Sequence, residues 1–162
     1  MIIGNQSEGD PPVKTTDRIR SLFLEPKPNY AIAEAASLLG THRRDVREWM
    51  EVGELEGLDT PEGLVLSWGE LVSFGMDFWS QATVEQALGA ELAETIPELL
   101  RLAPLDVRIP RLEVVALERL AVRDGKSVDA VLARELLDLV SAHSEWLRDE
   151  IPGFAAALAW PA

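Results

Sequence analysis

Cysteine is absent from the 162 residues and histidine occurs only twice. Without cysteine there is no disulfide, no thiolate nucleophile and no cysteine-ligated zinc or iron–sulfur centre, a composition that suits a reducing compartment. His42 and His143 lie in different parts of the chain and form no HxxxH spacing, so no metal site is expected. Ser141 and His143 stand two residues apart, which on a helix points them to different sides and makes no nucleophile–base pair. Long apolar runs are missing too: none approaches the ~18 residues of a membrane span. Met1 to Pro12 is acidic and lacks the basic leader of a secretory signal, so a cytoplasmic location is expected. With no glycine-rich phosphate loop, nucleophile motif or metal set, the sequence predicts neither an enzyme nor a cofactor.

Basic residues are scarce, and the scarcity is local. Fifteen Lys and Arg against 28 Asp and Glu give a net charge of −13, which argues against nucleic acid because phosphates reward clustered positive charge. Residues 1–50, however, hold seven acids and seven bases, residues 51–100 eleven acids and no base, and residues 101–162 ten acids and eight bases. The excess lies in the middle third, and the flanking thirds remain able to bind DNA.

Pro11, Pro12, Pro26 and Pro28, with Gly4 and Gly9, make residues 1–28 read as a flexible tail. Within it, Ile19, Leu22 and Phe23 have the spacing of a short helix around Thr16 to Leu24. From Tyr30 the pattern becomes two short helices. Ile32, Ala35, Ala36 and Leu39 form one stripe ended by Gly40; Val46, Trp49 and Met50 form a second ended by Gly53. Arg43, Arg44 and Arg47 fall on the opposite face of the second helix. Leu58 and Leu64-Val65-Leu66 around Thr60-Pro61-Glu62-Gly63 predict a hairpin. Ser67 with Glu70 and Thr83 with Gln86 are spaced as capping boxes, so helices are expected to begin near both. Glu70 to Leu102 then reads as mostly helical, broken near Gly89 and Pro97, with Trp68, Phe74, Phe78 and Trp79 packing between modules. In the last third, Leu105, Val107 and Ile109 alternate with Asp106 and Arg108 as in a half-buried strand. Pro110 stops it, and a helix with Val114, Leu117, Leu120 and Ala121 inward runs to Asp124. Gly125 ends that helix, and Ser127 caps another carrying Val128, Val131, Leu132, Leu136, Leu139 and Val140 to about Asp149.

Residues 30–57 resemble the MerR/excisionase type of helix-turn-helix through Tyr30, Glu34-Ala35-Ala36, Leu38-Leu39-Gly40, Val46, Trp49, Gly53 and Leu55. The resemblance implies a second helix in the DNA major groove, with Arg43, Arg44 and Arg47 towards the duplex. Three departures stand out. Ala31 replaces the usual Ser or Thr cap, a loss of roughly 0.5–2 kcal/mol; His42 stands where a capping Ser is common and is expected as a surface or capping residue; and the hairpin after Gly57 carries none of the basic residues of a DNA-gripping wing. The bland alternative is a helical pair with solvated arginines.

Residues 105–140 resemble a ribbon-helix-helix protein of the Arc/MetJ class in the strand Leu105 to Ile109, the Pro110-Arg111 helix start and Gly125-Lys126-Ser127-Val128 between the helices. In that family two chains pair their strands into one antiparallel ribbon, which implies an obligate homodimer. Leu105, Val107, Ile109, Leu117, Leu132 and Leu136 would then serve dimerisation. The resemblance also implies Asp106 and Arg108 facing the groove, and Lys126 and Ser127 meeting a phosphate. Asp106 fits poorly, since an acid repels the backbone, and dimerisation alone is the competing reading.

Twelve acids and no base between Glu48 and Glu98 make either a partner surface or a set of solvated helix faces. The apolar end from Ile151 to Trp160 either packs back on its own protein or anchors another. The fold class expected is mainly α. Its parts are a tail (1–28), a helix-turn-helix with hairpin (29–67), an acidic helical connector (68–103), a ribbon-helix-helix dimerisation module (104–150) and an apolar C-terminal tail (151–162). The function expected is a dimeric bacterial DNA-binding regulator, an autorepressor acting at an operator. Two alternatives stand beside it: an antitoxin that binds a toxin through the acidic connector or the C-terminal tail, and a dimeric interaction scaffold that binds no DNA.

Overall fold

A computed structural model describes residues 14–161; residues 1–13 and Ala162, and the part of the expected tail that falls on them, lie outside the described residues. The chain is mainly helical, with a small three-stranded antiparallel sheet in its N-terminal half. Among the described residues no helix is long and apolar enough to cross a membrane.

The short helix expected inside the proline-rich stretch is formed, and it is packed rather than a free tail. Residues Thr15–Leu24 form α1, whose Ile19 and Leu22 are completely buried and whose Phe23 is nearly so. Two long-range anchors hold it. The Arg20 guanidinium donates to the Ala87 and Leu88 carbonyls and to the Glu91 carboxylate, and the Leu22 carbonyl accepts the Trp68 indole N–H at 2.9 Å. Composition suggested disorder, but burial of three apolar side chains on one helical face offsets the entropy of ordering the segment.

After α1 come β1 (Asn29–Ala31), α2 (Ile32–Leu39), α3 (Arg43–Glu51), β2 (Gly57–Thr60) and β3 (Gly63–Ser67). The predicted stripes form both helices and the predicted hairpin forms β2 and β3. The three-residue β1 carries too little pattern to be foreseen. It pairs with β3, setting Tyr30 opposite Leu66, and β3 is the central strand in the order β1-β3-β2. Gly40 ends α2 in the left-handed region at φ 71°, with the Thr41 N–H bonded back to the Ala36 carbonyl at 2.9 Å. This closure needs glycine's freedom and turns the chain sharply into α3.

α4 (Trp68–Phe78) is capped by Ser67, whose hydroxyl accepts the Glu70 N–H at 3.1 Å, as its spacing predicts. α5 (Gln81–Leu88) starts earlier than the Thr83–Gln86 spacing suggests, because Ser80, at φ 68°, is the residue that caps it through Thr83 N. A short α6 (Leu92–Thr95) follows, flanked by single 3-10 turns. These elements are no free-standing connector. Leu71, Val72, Val84, Leu88 and Ile96 belong to the same core as Ile19, Leu22, Val46 and Leu66, because one helix pair and a three-stranded sheet are too small to bury their apolar faces alone.

α7 (Arg111–Asp124) and α8 (Val128–Ala142) form a helical hairpin around Gly125, at φ 63°, with Ser127 capping α8 through the Ala130 N–H at 3.1 Å. The long helix expected to reach Asp149 is interrupted at His143, after which α9 (Ser144–Glu150) begins. The expected strand Leu105 to Ile109 is not formed: residues 102–110 are irregular and exposed. A strand exists only through its neighbour's hydrogen bonds, and one chain offers this segment no neighbour. The apolar C-terminus packs on its own chain. Phe154 and Ala157 of α10 (Phe154–Leu158) are buried, and Trp160 lies against the N-terminal core.

Candidate nucleic-acid interface

α3 is a helix with two unlike faces. Val46 is fully buried and Trp49 packs against Phe74 of α4 at 4.8 Å between ring centroids, so the inner face is anchored on the core. Arg43, Arg44 and Arg47 are all exposed on the outer face, as their spacing requires. Arg44 reaches only its neighbour Asp45, at 3.6 Å, and among the described residues Arg43 and Arg47 have no carboxylate partner.

The start of α3 is held by an unforeseen device. His42 is exposed and its ring caps nothing; Asp45 supplies the cap instead, accepting from the His42 N–H at 3.1 Å and from the Thr41 hydroxyl. An acid at the third helical position reaching back to the residue before the helix is a signal that the sequence does carry. Likewise, Glu34 accepts the Ala31 N–H at 3.0 Å, recovering part of the cap that alanine cannot provide at the start of α2. Lys27 and the Ala31 N–H hold the Glu34 carboxyl below its ordinary range.

The Thr41 hydroxyl, the His42 N–H and the nearby Arg44 likewise hold the Asp45 carboxyl below the ordinary carboxylate range. A group whose pKa is lower folded than unfolded contributes stability that is complete above the unfolded value and lost as pH falls through the folded one. Asp45→Asn is therefore expected to lower the urea midpoint at neutral pH and to converge on the parent below the carboxylate range. An unchanged gap in strong acid would rule out the charge as its source.

Beside α3, the β2–β3 hairpin carries Asp59 and Glu62 and no base; Glu51 ends α3, and Glu54 and Glu56 lie in the loop before the hairpin. The hairpin is therefore unsuited to gripping a phosphate backbone. The remaining predicted residues lie in the C-terminal part. Arg108 is exposed in the irregular segment; the Ser127 hydroxyl oxygen is engaged as the α8 cap; Lys126 is exposed and borders a cavity of about 530 Å³ with Trp49, Glu54, Glu70, Asp77 and Phe78. The structure thus gathers the three α3 arginines on one helix face and brings Lys126 beside an acidic, aromatic surface of the N-terminal part.

Of the residues expected to serve dimerisation, Leu105 is 72% accessible, Val107, Ile109 and Leu136 are exposed, and Leu117 and Leu132 are half-buried; Leu112, beside them on α7, is 78% accessible. Within α7 and α8 only Ala121 and Val131 are buried. An apolar face of this extent is unusual for a free surface.

Comparison with protein families, with curated proteins and with solved structures finds no match for this chain. What the site can do is set by its own chemistry: a rigidly mounted helix offering three guanidinium groups, and a separate apolar helical hairpin. Among the described residues no cluster of His, Asp and Glu could hold a metal ion.

Proposed function

We propose that the protein is a dimeric, sequence-specific DNA-binding transcriptional regulator that represses its own promoter. The observation that carries this reading is α3, with Val46 fixed in the core and Arg43, Arg44 and Arg47 all exposed on the outside. An α-helix fits the major groove, where an arginine fork matches the O6 and N7 acceptors of guanine, and arginines that miss a base edge engage phosphates. The acidic stretch of residues 51–100, whose one base is Arg101 just beyond it, disfavours contact with the duplex through that part of the surface, leaving α3 as the better route of approach within the N-terminal part.

Residues 104–150 supply the second copy. Strands from two chains pair into a ribbon and cover the apolar faces of α7 and α8, so that two α3 helices address the two halves of a two-fold operator. The second contact is then effectively intramolecular, which compensates for the few base contacts of each helix. In this arrangement the C-terminal module dimerises and the N-terminal module reads.

Titration of the full chain against a labelled duplex from upstream of its own coding sequence, at several salt concentrations, tests the reading. The expected result is binding at least about a thousandfold tighter than to a scrambled duplex, with the logarithm of affinity falling linearly against that of salt. Equal affinity for the two duplexes would remove sequence specificity, and no affinity from an intact dimer would make the protein an interaction scaffold.

A further inference from the structure

We infer that Arg18 of α1 binds a backbone phosphate beside the turn between α2 and α3, so that α1 performs the flanking role that the acidic hairpin is unfit for. The inference rests on the DNA-binding reading above and extends its interface to a helix outside the helix-turn-helix.

The cations of the N-terminal part divide into two sets. Arg20 is bound to Glu91 at 2.8 Å and to two carbonyls at the end of α5, and Lys27 is bound to Glu34 at 2.8 Å. These two staple the fold. Arg18, two residues before Arg20 on the same helix, makes no side-chain hydrogen bond and no ion pair among the described residues, and its Nε is buried without an acceptor. A guanidinium has five N–H donors in a rigid fork, and leaving all of them without a protein acceptor is rare for a group packed against the protein.

Its position gives the missing acceptor a chemistry. The guanidinium lies directly on Gly40: a Cβ at that residue would fall onto Arg18 Nη1 and Cζ and displace them, while the φ of 71° is what calls for glycine there. Gly40 is three residues before Arg43. The free guanidinium of α1 and the arginines of α3 thus flank the same tight turn. The one carboxylate on that turn, Asp45, is committed to the Thr41 hydroxyl and the His42 N–H and is not bound to Arg18. When a recognition helix enters the groove by its N-terminal end, the phosphates of the groove wall lie beside the preceding turn. The terminal Nη1 and Nη2 of a planar guanidinium, rather than the buried Nε, match two phosphate oxygens there. The carbonyls at the end of α2 carry partial negative charge, which favours a cation beside the turn.

The experiment compares salt titrations of the parent, Arg18→Gln and Arg18→Lys on the operator duplex and on a scrambled duplex, with urea midpoints of the free proteins alongside. Removing one phosphate contact lowers the salt slope by about 1 and weakens binding to both duplexes alike. Arg18→Gln is expected to show both effects, and Arg18→Lys, which keeps the charge, to recover the slope. An unchanged slope in Arg18→Gln, with or without a lower urea midpoint, would overturn the inference and leave Arg18 as a partner of the α2 terminus only. A parent protein with no salt-dependent binding would overturn the DNA-binding reading itself, so the two failures are distinguishable.

Discussion

The chain carrying Arg43→Ala, Arg44→Ala and Arg47→Ala is expected to lose operator binding by about a thousandfold or more while remaining folded and dimeric. A well-formed arginine contact to a base pair is worth about 1–3 kcal/mol of discrimination, and a factor of ten corresponds to about 1.4 kcal/mol. Removing two such arginine–base pairings from each half-site comes to about 4–12 kcal/mol, which is already close to a thousandfold at its lower end. Stability is expected to stay close to the parent's, because all three side chains are exposed and the single ion pair among them, Arg44 to Asp45 at 3.6 Å, is a surface contact between neighbours. A mobility-shift titration with circular dichroism of the same samples makes the measurement. Unchanged binding by the folded triple variant would end the assignment of α3 as the reader.

The second large effect concerns assembly. Val107→Asp with Leu136→Asp is expected to convert a dimer into a monomer in sedimentation velocity, because each change places a carboxylate where the paired ribbon and helices would exclude water. Nothing in the monomer opposes the change: both side chains are exposed in the single chain and neither belongs to the core built by α1 to α5 and the sheet. Thermal unfolding of the N-terminal part should therefore be little altered, whereas operator affinity should fall by roughly 10²–10⁴ once the second half-site is no longer engaged intramolecularly. A parent that sediments as a monomer, or a double variant that remains dimeric, would refute dimerisation through residues 104–150.

The legible parts of the fold are those written in short-range signals. α2, α3, α7 and α8 announce themselves by apolar spacing, and their ends by Gly40, Gly125 and Ser127; the β2–β3 hairpin is marked by its turn, and the start of α4 by Ser67 and Glu70. Apolar spacing also marks α1 inside a stretch whose proline-rich composition reads as a tail; burial, which composition does not report, is what orders it. Helical period describes α4 and α5 correctly, but whether their apolar stripes join an existing core depends on what lies across from them.

Residue type and helical period, both local, suffice to establish that three arginines share one helix face, that the middle third is acidic and base-free, and that disulfide and thiolate chemistry is excluded. Which charges are free is a different kind of fact. Arg18 and Arg20 stand two residues apart on one helix, yet Arg20 is tied to Glu91, 71 residues away, while Arg18 rests on the turn at Gly40 with no carboxylate partner among the described residues. A charge is neutralised by its neighbours in space, and the fold alone chooses them.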